Sequence, residues 1–176
     1  CVHPTVCKLL GTSHEPTKAL MREARAVPGV VKVHIASGIR MDLARKDPEY
    51  LDELAAHHVG GHLKVAPEHV SERVLARMKK PGIEAFEEFA ERFEAASRRA
   101  GKEQFLVPYF IASHPGSTVE DMIELAIFLK QRGYRPRQVQ DFIPAPMDLA
   151  TCMYWTGLDP FSMKPVETAR KLHDRK

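Results

Sequence analysis

The chain has 176 residues, of which 44% are hydrophobic and 28% charged, and its 26 basic and 23 acidic residues leave a net charge of +3. That apolar fraction supports one compact core and excludes general disorder. The longest nearly unbroken apolar run, Phe105 to Ala112, is far short of the roughly 18 residues a membrane-spanning helix needs, and no signal or transit segment is visible.

The first residue is a cysteine, which reads as a piece of something longer. Leu20, Ala24 and Val27 fall on one helical face after Pro16, and Pro28-Gly29 ends that helix. Val30 to Ala36, with three valines and an isoleucine, predicts a buried strand. Asp47-Pro48 opens a second helix, continued by Leu51, Leu54, Ala55 and His58 and stopped at Gly60-Gly61. Leu63 to Ala66 is a short strand, and Ser71 caps a short helix carrying Val74, Leu75 and Met78. Ile83, Phe86, Phe89, Ala90, Phe93 and Ala96 mark a long amphipathic helix ending at Gly101. The third strand runs from Gln104 to Ala112. Ser117 with Glu120 forms a capping-box signature for a helix whose buried face is Met122, Leu125, Ala126 and Leu129. Gln138 to Ile143 predicts a fourth strand, and Pro165 to Lys176 the start of one more helix.

Strands roughly 30 to 40 residues apart with helices between them predict right-handed βαβ crossovers and a parallel sheet. The fold class expected is α/β, a single domain spanning 1–176, built as the later βα units of a partial (β/α) TIM-like barrel. Four strands make only half of an eightfold barrel. Residues 1–16 would be a cysteine-containing insertion and 144–176 a closing loop and helix.

Ligands of parallel βα folds bind at the carboxyl ends of the strands. Those ends here are Ser37-Gly38-Ile39-Arg40, Pro67-Glu68-His69, Ser113-His114-Pro115-Gly116 and Pro144-Ala145-Pro146-Met147-Asp148. Each has an ordinary reading beside a functional one. Ser37-Gly38 suits a tight turn and Arg40 a surface position, while a guanidinium at a strand mouth also suits a carboxylate or a ribose edge. Glu68 suits a salt bridge as well as a ligand, and a lone histidine such as His69 or His114 is more often bonded to a nearby carbonyl. Pro115-Gly116 is common turn chemistry, yet the free amides at that helix start suit an anionic or adenine-like ligand.

Three cysteines, Cys1, Cys7 and Cys152, in a chain this long fit a reduced, cytoplasmic protein. Cys1, His3 and Cys7 have metal-ligand chemistry, but their spacing matches no common site and lacks a fourth ligand. In the run HHVGGH, His57 and His58 diverge by about 100° on a helix, so convergence with His62 is not implied. Neither a GxSxG nucleophile elbow nor a GxxxxGK[ST] phosphate loop occurs. Lys79, Lys80, Arg98, Arg99 and Lys102 could form a nucleic-acid surface, but stacking aromatics are not interleaved with them and nothing in the charge balance demands such a partner.

The stretches IASGIR, HHVGGHLKVAPEHVSERVLARMKKPG, GKEQFLVPYFIASHPGSTVEDM and QVQDFIPAPMDLATCMY, with Met153, Tyr154 and Gly157, resemble the YgiQ-like group of radical S-adenosylmethionine (SAM) proteins in order and spacing. The resemblance covers almost the whole chain. It implies a partial barrel holding a [4Fe-4S] cluster and SAM at the strand mouths. Reduction of SAM there yields methionine and a 5′-deoxyadenosyl radical, which abstracts hydrogen from a substrate, with the electron supplied by a donor such as flavodoxin or ferredoxin. By the same resemblance Ser37 and Arg40 lie near the SAM ribose or carboxylate and Glu68 faces SAM. Ile111, Ser113 and His114 contact adenine largely through backbone, and the loop containing Pro146 lies near adenine or substrate. The family's CxxxCxxC cluster motif is absent, so its ligands are expected before Cys1 and the chain by itself is expected to be inactive. Pro115-Gly116-Ser117-Thr118 departs from the Pro-Gly-Glu-Thr of related methylthiotransferases, which argues against that activity. The alternative enzyme reading is a (β/α)-barrel lyase or hydrolase using Glu68 and His114 as an acid/base pair.

Overall fold

The computed structural model describes residues 3–136 and 139–175. They divide into two compact units, one built from Val6–Ala66 with Glu84–Pro108 and the other from residues 3–5, 67–83 and 109–175. Three strands, β1 (His62–Glu68), β2 (Phe105–Ala112) and β3 (Gln140–Asp141), form one sheet in the order β1-β2-β3. Helices separate them in sequence, as the expected alternation requires. No helix among the described residues is long and apolar enough to cross a membrane.

In the first unit, α1 (Glu15–Ala26) begins with Pro16 in its first turn and has Glu15 and Arg25 where the helix dipole favours them. Its docking face differs from the one predicted. Leu20 is 66% exposed and Val27 is also exposed, whereas Lys18 and Met21 are buried. The helix has too few apolar residues at helical spacing to seat itself by burial, so it is positioned by charge. Lys18 pairs with Glu15 at 2.9 Å and with Glu49 at 2.8 Å, and Arg22 with Glu53 at 2.6 Å.

Val30 to Ala36 is not a strand. Val31 is 87% exposed, so the run lacks the two-sided burial that such a sequence would need. The segment is instead pinned by His58, which accepts from the Ile35 amide at 3.0 Å through its own carbonyl and places Nδ1 2.8 Å from the Val33 carbonyl. Ile39 then makes a single parallel bridge to Val65. A short helix absent from the sequence reading, α2 (Met41–Ala44), follows. Asp47 caps α3 (Pro48–Glu53), and its carboxylate accepts from the Tyr50 amide at 3.0 Å. The helix continues as a π-helical turn, Leu54–His58. Leu51, Leu54, Ala55 and His58 are buried, as the periodicity predicts. With Leu63 and Val65 of β1 and Phe86, Phe89, Phe93 and Ala96 of α5 (Ile83–Arg99), they supply the buried interior of this unit. Burial of each large side chain contributes about 1.5–3 kcal/mol.

The second unit has two apolar clusters. Val70, Phe110 and Leu125 pack with Ile83, Met122, Phe128 and Leu129, while Phe142, Ala150, Met153 and Val166 pack with Ile111 and Tyr154. Between β1 and α5 lies α4 (Glu72–Arg77); Ser71 stands at its N-cap position, but its hydroxyl makes no cap bond and donates to Asp121 Oδ1 instead. The helix after β2, α6 (Val119–Gln131), has a capping box formed by Thr118 and Asp121, one residue later than predicted. Ser117 instead donates to the His114 carbonyl at 2.7 Å, which closes the preceding turn. Of the predicted face, Leu125 is buried and Ala126 exposed. β3 pairs in parallel with β2, Ile111 opposite Gln140 and Ala112 opposite Asp141. It is shorter than the predicted strand, whose first residue, Gln138, lies outside the described residues. An unpredicted helix, α7 (Leu149–Thr156), is capped by Asp148, which accepts from the Ala150 amide, and ends on left-handed Gly157. The predicted final helix is reduced to a 3₁₀ turn, Leu172–Arg175.

Candidate functional site at the strand ends

The carboxyl ends of β1, β2 and β3 in the second unit frame a cavity of about 860 Å³. Its walls include Glu68, Ile111, His114 and Pro146, four of the seven site residues expected from the sequence, together with Arg77, Lys80, Tyr109, Phe142 and Asp148. The volume lies within the roughly 300–1,000 Å³ of small-molecule sites.

The backbone at these strand ends is conformationally unusual. Glu68 (φ 70°), Ser113 (φ 59°) and Met147 (φ 65°) are non-glycine residues in the left-handed region. Such a conformation costs an L-residue about 1–2 kcal/mol and is found preferentially where function requires it. Ser113, also expected from the sequence, thus turns the chain between Ile111 and His114.

Glu68 is tied on one side and open on the other. Lys80 donates to Oε1 at 2.7 Å, while Oε2 is buried without a hydrogen-bond partner. A buried carboxylate oxygen lacking a donor is costly, and a ligand donor would relieve that cost. Arg77 lies against Gly116. A Cβ on that glycine, at φ +81°, would meet the Arg77 side chain at 2.8 Å, and Arg77 Nη1 donates to the Gly116 carbonyl at 3.2 Å. The glycine therefore lets a guanidinium settle at the cavity wall.

His114 is 4% exposed, with Nδ1 3.0 Å from the Pro115 carbonyl and its ring edge-on to Phe142 at 5.5 Å. Burial pulls its pKa down to about 4. Near pH 7 it is neutral, with the proton on Nδ1 donated to the carbonyl. It would be a poor acid at neutral pH, which weakens the Glu68–His114 acid/base reading. His69 is fully buried and likewise held below its ordinary value by burial. Its Nδ1 accepts from the Ser71 amide at 3.0 Å, so the proton sits on Nε2, which is buried without a partner.

The loop after β1 is fastened to the start of α6. Ser71 donates to Asp121 Oδ1 at 2.7 Å, and Arg73 and the Thr118 amide donate to Oδ2. Burial alone would raise the Asp121 pKa, but these donors hold it below its ordinary value. This anchor lies outside the strand-end residues that the sequence singles out. Its signal was the SER run following PEH together with Thr118-x-x-Asp121, a capping box in its own right.

The remaining expected residues, Ser37 and Arg40, belong to the first unit. Ser37 is exposed, and the Arg40 guanidinium is engaged by Asp42, Nε to Oδ1 at 2.9 Å and Nη2 to Oδ2 at 3.0 Å. The histidines of HHVGGH separate: His58 is buried, His57 exposed, and His62 lies beside Phe105 with ring centroids 6.0 Å apart. Among the described residues no three His, Cys, Asp or Glu side chains could hold a metal ion. Cys7 and Cys152 are free thiols, and Cys1 lies outside the described residues. The basic residues weighed for nucleic acid are mostly occupied: Arg98 by Glu94, Arg99 by Asp52, Lys102 by the Ala56 carbonyl and Lys80 by Glu68.

The fold and cavity define an α/β protein with a cavity at the carboxyl ends of its strands. Comparison with known proteins narrows the class. The chain is 54% identical over 167 residues to a UPF0313 protein of Shewanella oneidensis, covering 95% of this chain and 21% of that protein. It is 51% identical over 170 residues to a UPF0313 protein of Methanosarcina mazei, covering 97% and 27%. It is 51% identical over 162 residues to UPF0313 protein YgiQ of Escherichia coli K12, covering 92% and 22%. Residues 137–176 match a family described as a domain of unknown function, DUF3362. The chain is thus similar over nearly all of its length to UPF0313 proteins, YgiQ among them, and it spans about a fifth to a quarter of the length of these curated relatives.

Proposed function

We propose that this chain is the later part of a radical SAM core, a partial (β/α) barrel whose strand-end cavity binds SAM. The reading rests chiefly on one observation: Glu68, Ile111, His114 and Pro146, assigned to SAM by the motif resemblance, all line one cavity, and it contains an unpaired buried carboxylate oxygen. The residues fit the cofactor. Glu68 Oε2 would accept from an ammonium or a ribose hydroxyl, and the Arg77 guanidinium would face a carboxylate. Ile111, Phe142 and Tyr109 would give an adenine ring an apolar bed, while neutral His114 would add no charge beneath it.

Bound SAM would supply, after one-electron reduction, a 5′-deoxyadenosyl radical able to abstract hydrogen from a substrate. The chain's own contribution is to bind, orient and shield. Lys80 holds the Glu68 carboxylate in place, the left-handed turns at Glu68 and Ser113 fix where the strand ends point, and the Ser71–Asp121 anchor holds the β1 loop. The [4Fe-4S] cluster does not fit on this chain. No CxxxCxxC motif occurs in its sequence, so the cluster ligands would come from other residues of a longer polypeptide. A flavodoxin or ferredoxin would deliver the electron.

Anaerobic reconstitution with iron, sulfide and a reductant tests the proposal. A full-length polypeptide containing this chain is expected to form 5′-deoxyadenosine from SAM, and the chain alone to form none. Formation by the chain alone, or none by the full-length protein, would contradict it.

A further inference from the structure

The first unit has a cavity of its own, about 400 Å³, that the SAM reading does not use. Its walls come from the end of α1, the extended segment at 31–34, the π-helical turn and the loops preceding β1 and β2. The charge is lopsided: Arg25, Lys32 and Lys102 line it against Glu103, and the imidazoles of His34 and His57 join them.

Three features suggest that the cavity is shaped for an anion. Arg25 Nη1 is buried and lacks a hydrogen-bond partner, and its nearest carboxylate, Glu53, stands 3.9 Å from the guanidinium. Leaving a guanidinium N–H buried and unpaired is costly, and an anionic oxygen is its natural complement. The turn that carries His57 is π-helical, a geometry found mostly at functional sites. It is held open by side chains, Gln104 donating to the Ala55 and Val59 carbonyls and Lys102 to that of Ala56. Finally, the glycines of HHVGGH leave room at the cavity wall. A Cβ on Gly60 would lie 2.8 Å from the His34 ring, and Gly61 has φ +145°. Burial, followed by the positive charges of Arg25 and Lys102, holds His57 below its ordinary value.

We propose that this cavity binds the phosphate group of a small phosphorylated ligand, of nucleotide size or less. Its volume admits such a molecule. A nucleic-acid backbone fits less well, because no phenylalanine, tyrosine or tryptophan lines the cavity and Arg98 and Arg99 are paired with carboxylates.

The test is a titration of the full chain with inorganic phosphate, with AMP and with single-stranded poly(U), followed by the His57 ring resonances. Phosphate and AMP should each give a saturable shift and raise the His57 pKa. Lys32→Gln, at an exposed position, should weaken both roughly tenfold, the loss expected for one charge-assisted interaction. Arg98→Gln, outside the cavity, should leave them unchanged. Absence of a saturable shift at millimolar phosphate would overturn the proposal, as would equal losses in Lys32→Gln and Arg98→Gln. Binding of poly(U) in preference to both small ligands would overturn it in favour of a nucleic-acid surface.

Discussion

His114 shows how one residue's surroundings settle its chemistry. Histidine titrates near 6.5 in an unfolded chain, and burial lowers it to about 4 here. Between those values the unfolded state binds the proton and the folded state does not, so folding is favoured above about pH 6.5 and loses that advantage as pH falls toward 4. The full difference amounts to roughly 3 kcal/mol. Urea unfolding midpoints measured from pH 7 to pH 4.5 should fall, and the fall should shrink in His114→Asn. A His114 ring titrating near 6.5 by NMR would contradict the account. The sequence placed His114 at a strand mouth and pointed to its backbone carbonyl partner, but depth is a tertiary property and the lowered pKa was not legible. Arg40 illustrates the converse. Its position suggested a ligand, while its fork is bound to Asp42 two residues on, a pairing that adjacent charges in GIRMD allowed but did not require.

Among the elements, those governed by burial were legible and those governed by neighbours were not. The phenylalanines of α5 recur at helical spacing and are buried, so periodicity suffices. Val30 to Ala36 has strand composition, but a strand needs a partner ladder, and the one bridge that follows it, Ile39 to Val65, lies beyond the run. Its place is fixed by His58 from another element, which no local pattern announces. α1 likewise follows its predicted limits while turning a charged face inward, because the carboxylates of Asp47, Glu49 and Glu53 are close to Lys18 and Arg22. Left-handed residues at strand ends were equally hidden, since Glu, Ser and Met have no preference for that region. The strain there is testable at Ser113. Ser113→Gly should raise stability by up to about 1 kcal/mol by removing the left-handed penalty, and Ser113→Val should lower it by about 1–2 kcal/mol. Urea midpoints that leave glycine and valine equal would show that the turn carries no strain.

For the molecule as a whole, the alternation of helices with a parallel sheet follows from the sequence, and the likeness to UPF0313 proteins extends over nearly all of the chain. The organisation into two units was less visible. The strands β1 and β2 each pass from one unit into the other, and a continuous apolar strand such as Phe105 to Ala112 contains no boundary mark. What unites the second unit chemically is the cavity at its strand ends, and the central claim is that Glu68 presents its unpaired oxygen to SAM there. The most direct measurement compares the anaerobically reconstituted full-length protein with its Glu68→Gln variant for SAM affinity and 5′-deoxyadenosine formation. The substitution keeps the side chain's size and removes its charge. The account predicts at least a tenfold loss in SAM affinity, on the order of 1.4 kcal/mol or more, with a matching fall in 5′-deoxyadenosine at limiting SAM; equal affinity in the two proteins would contradict it.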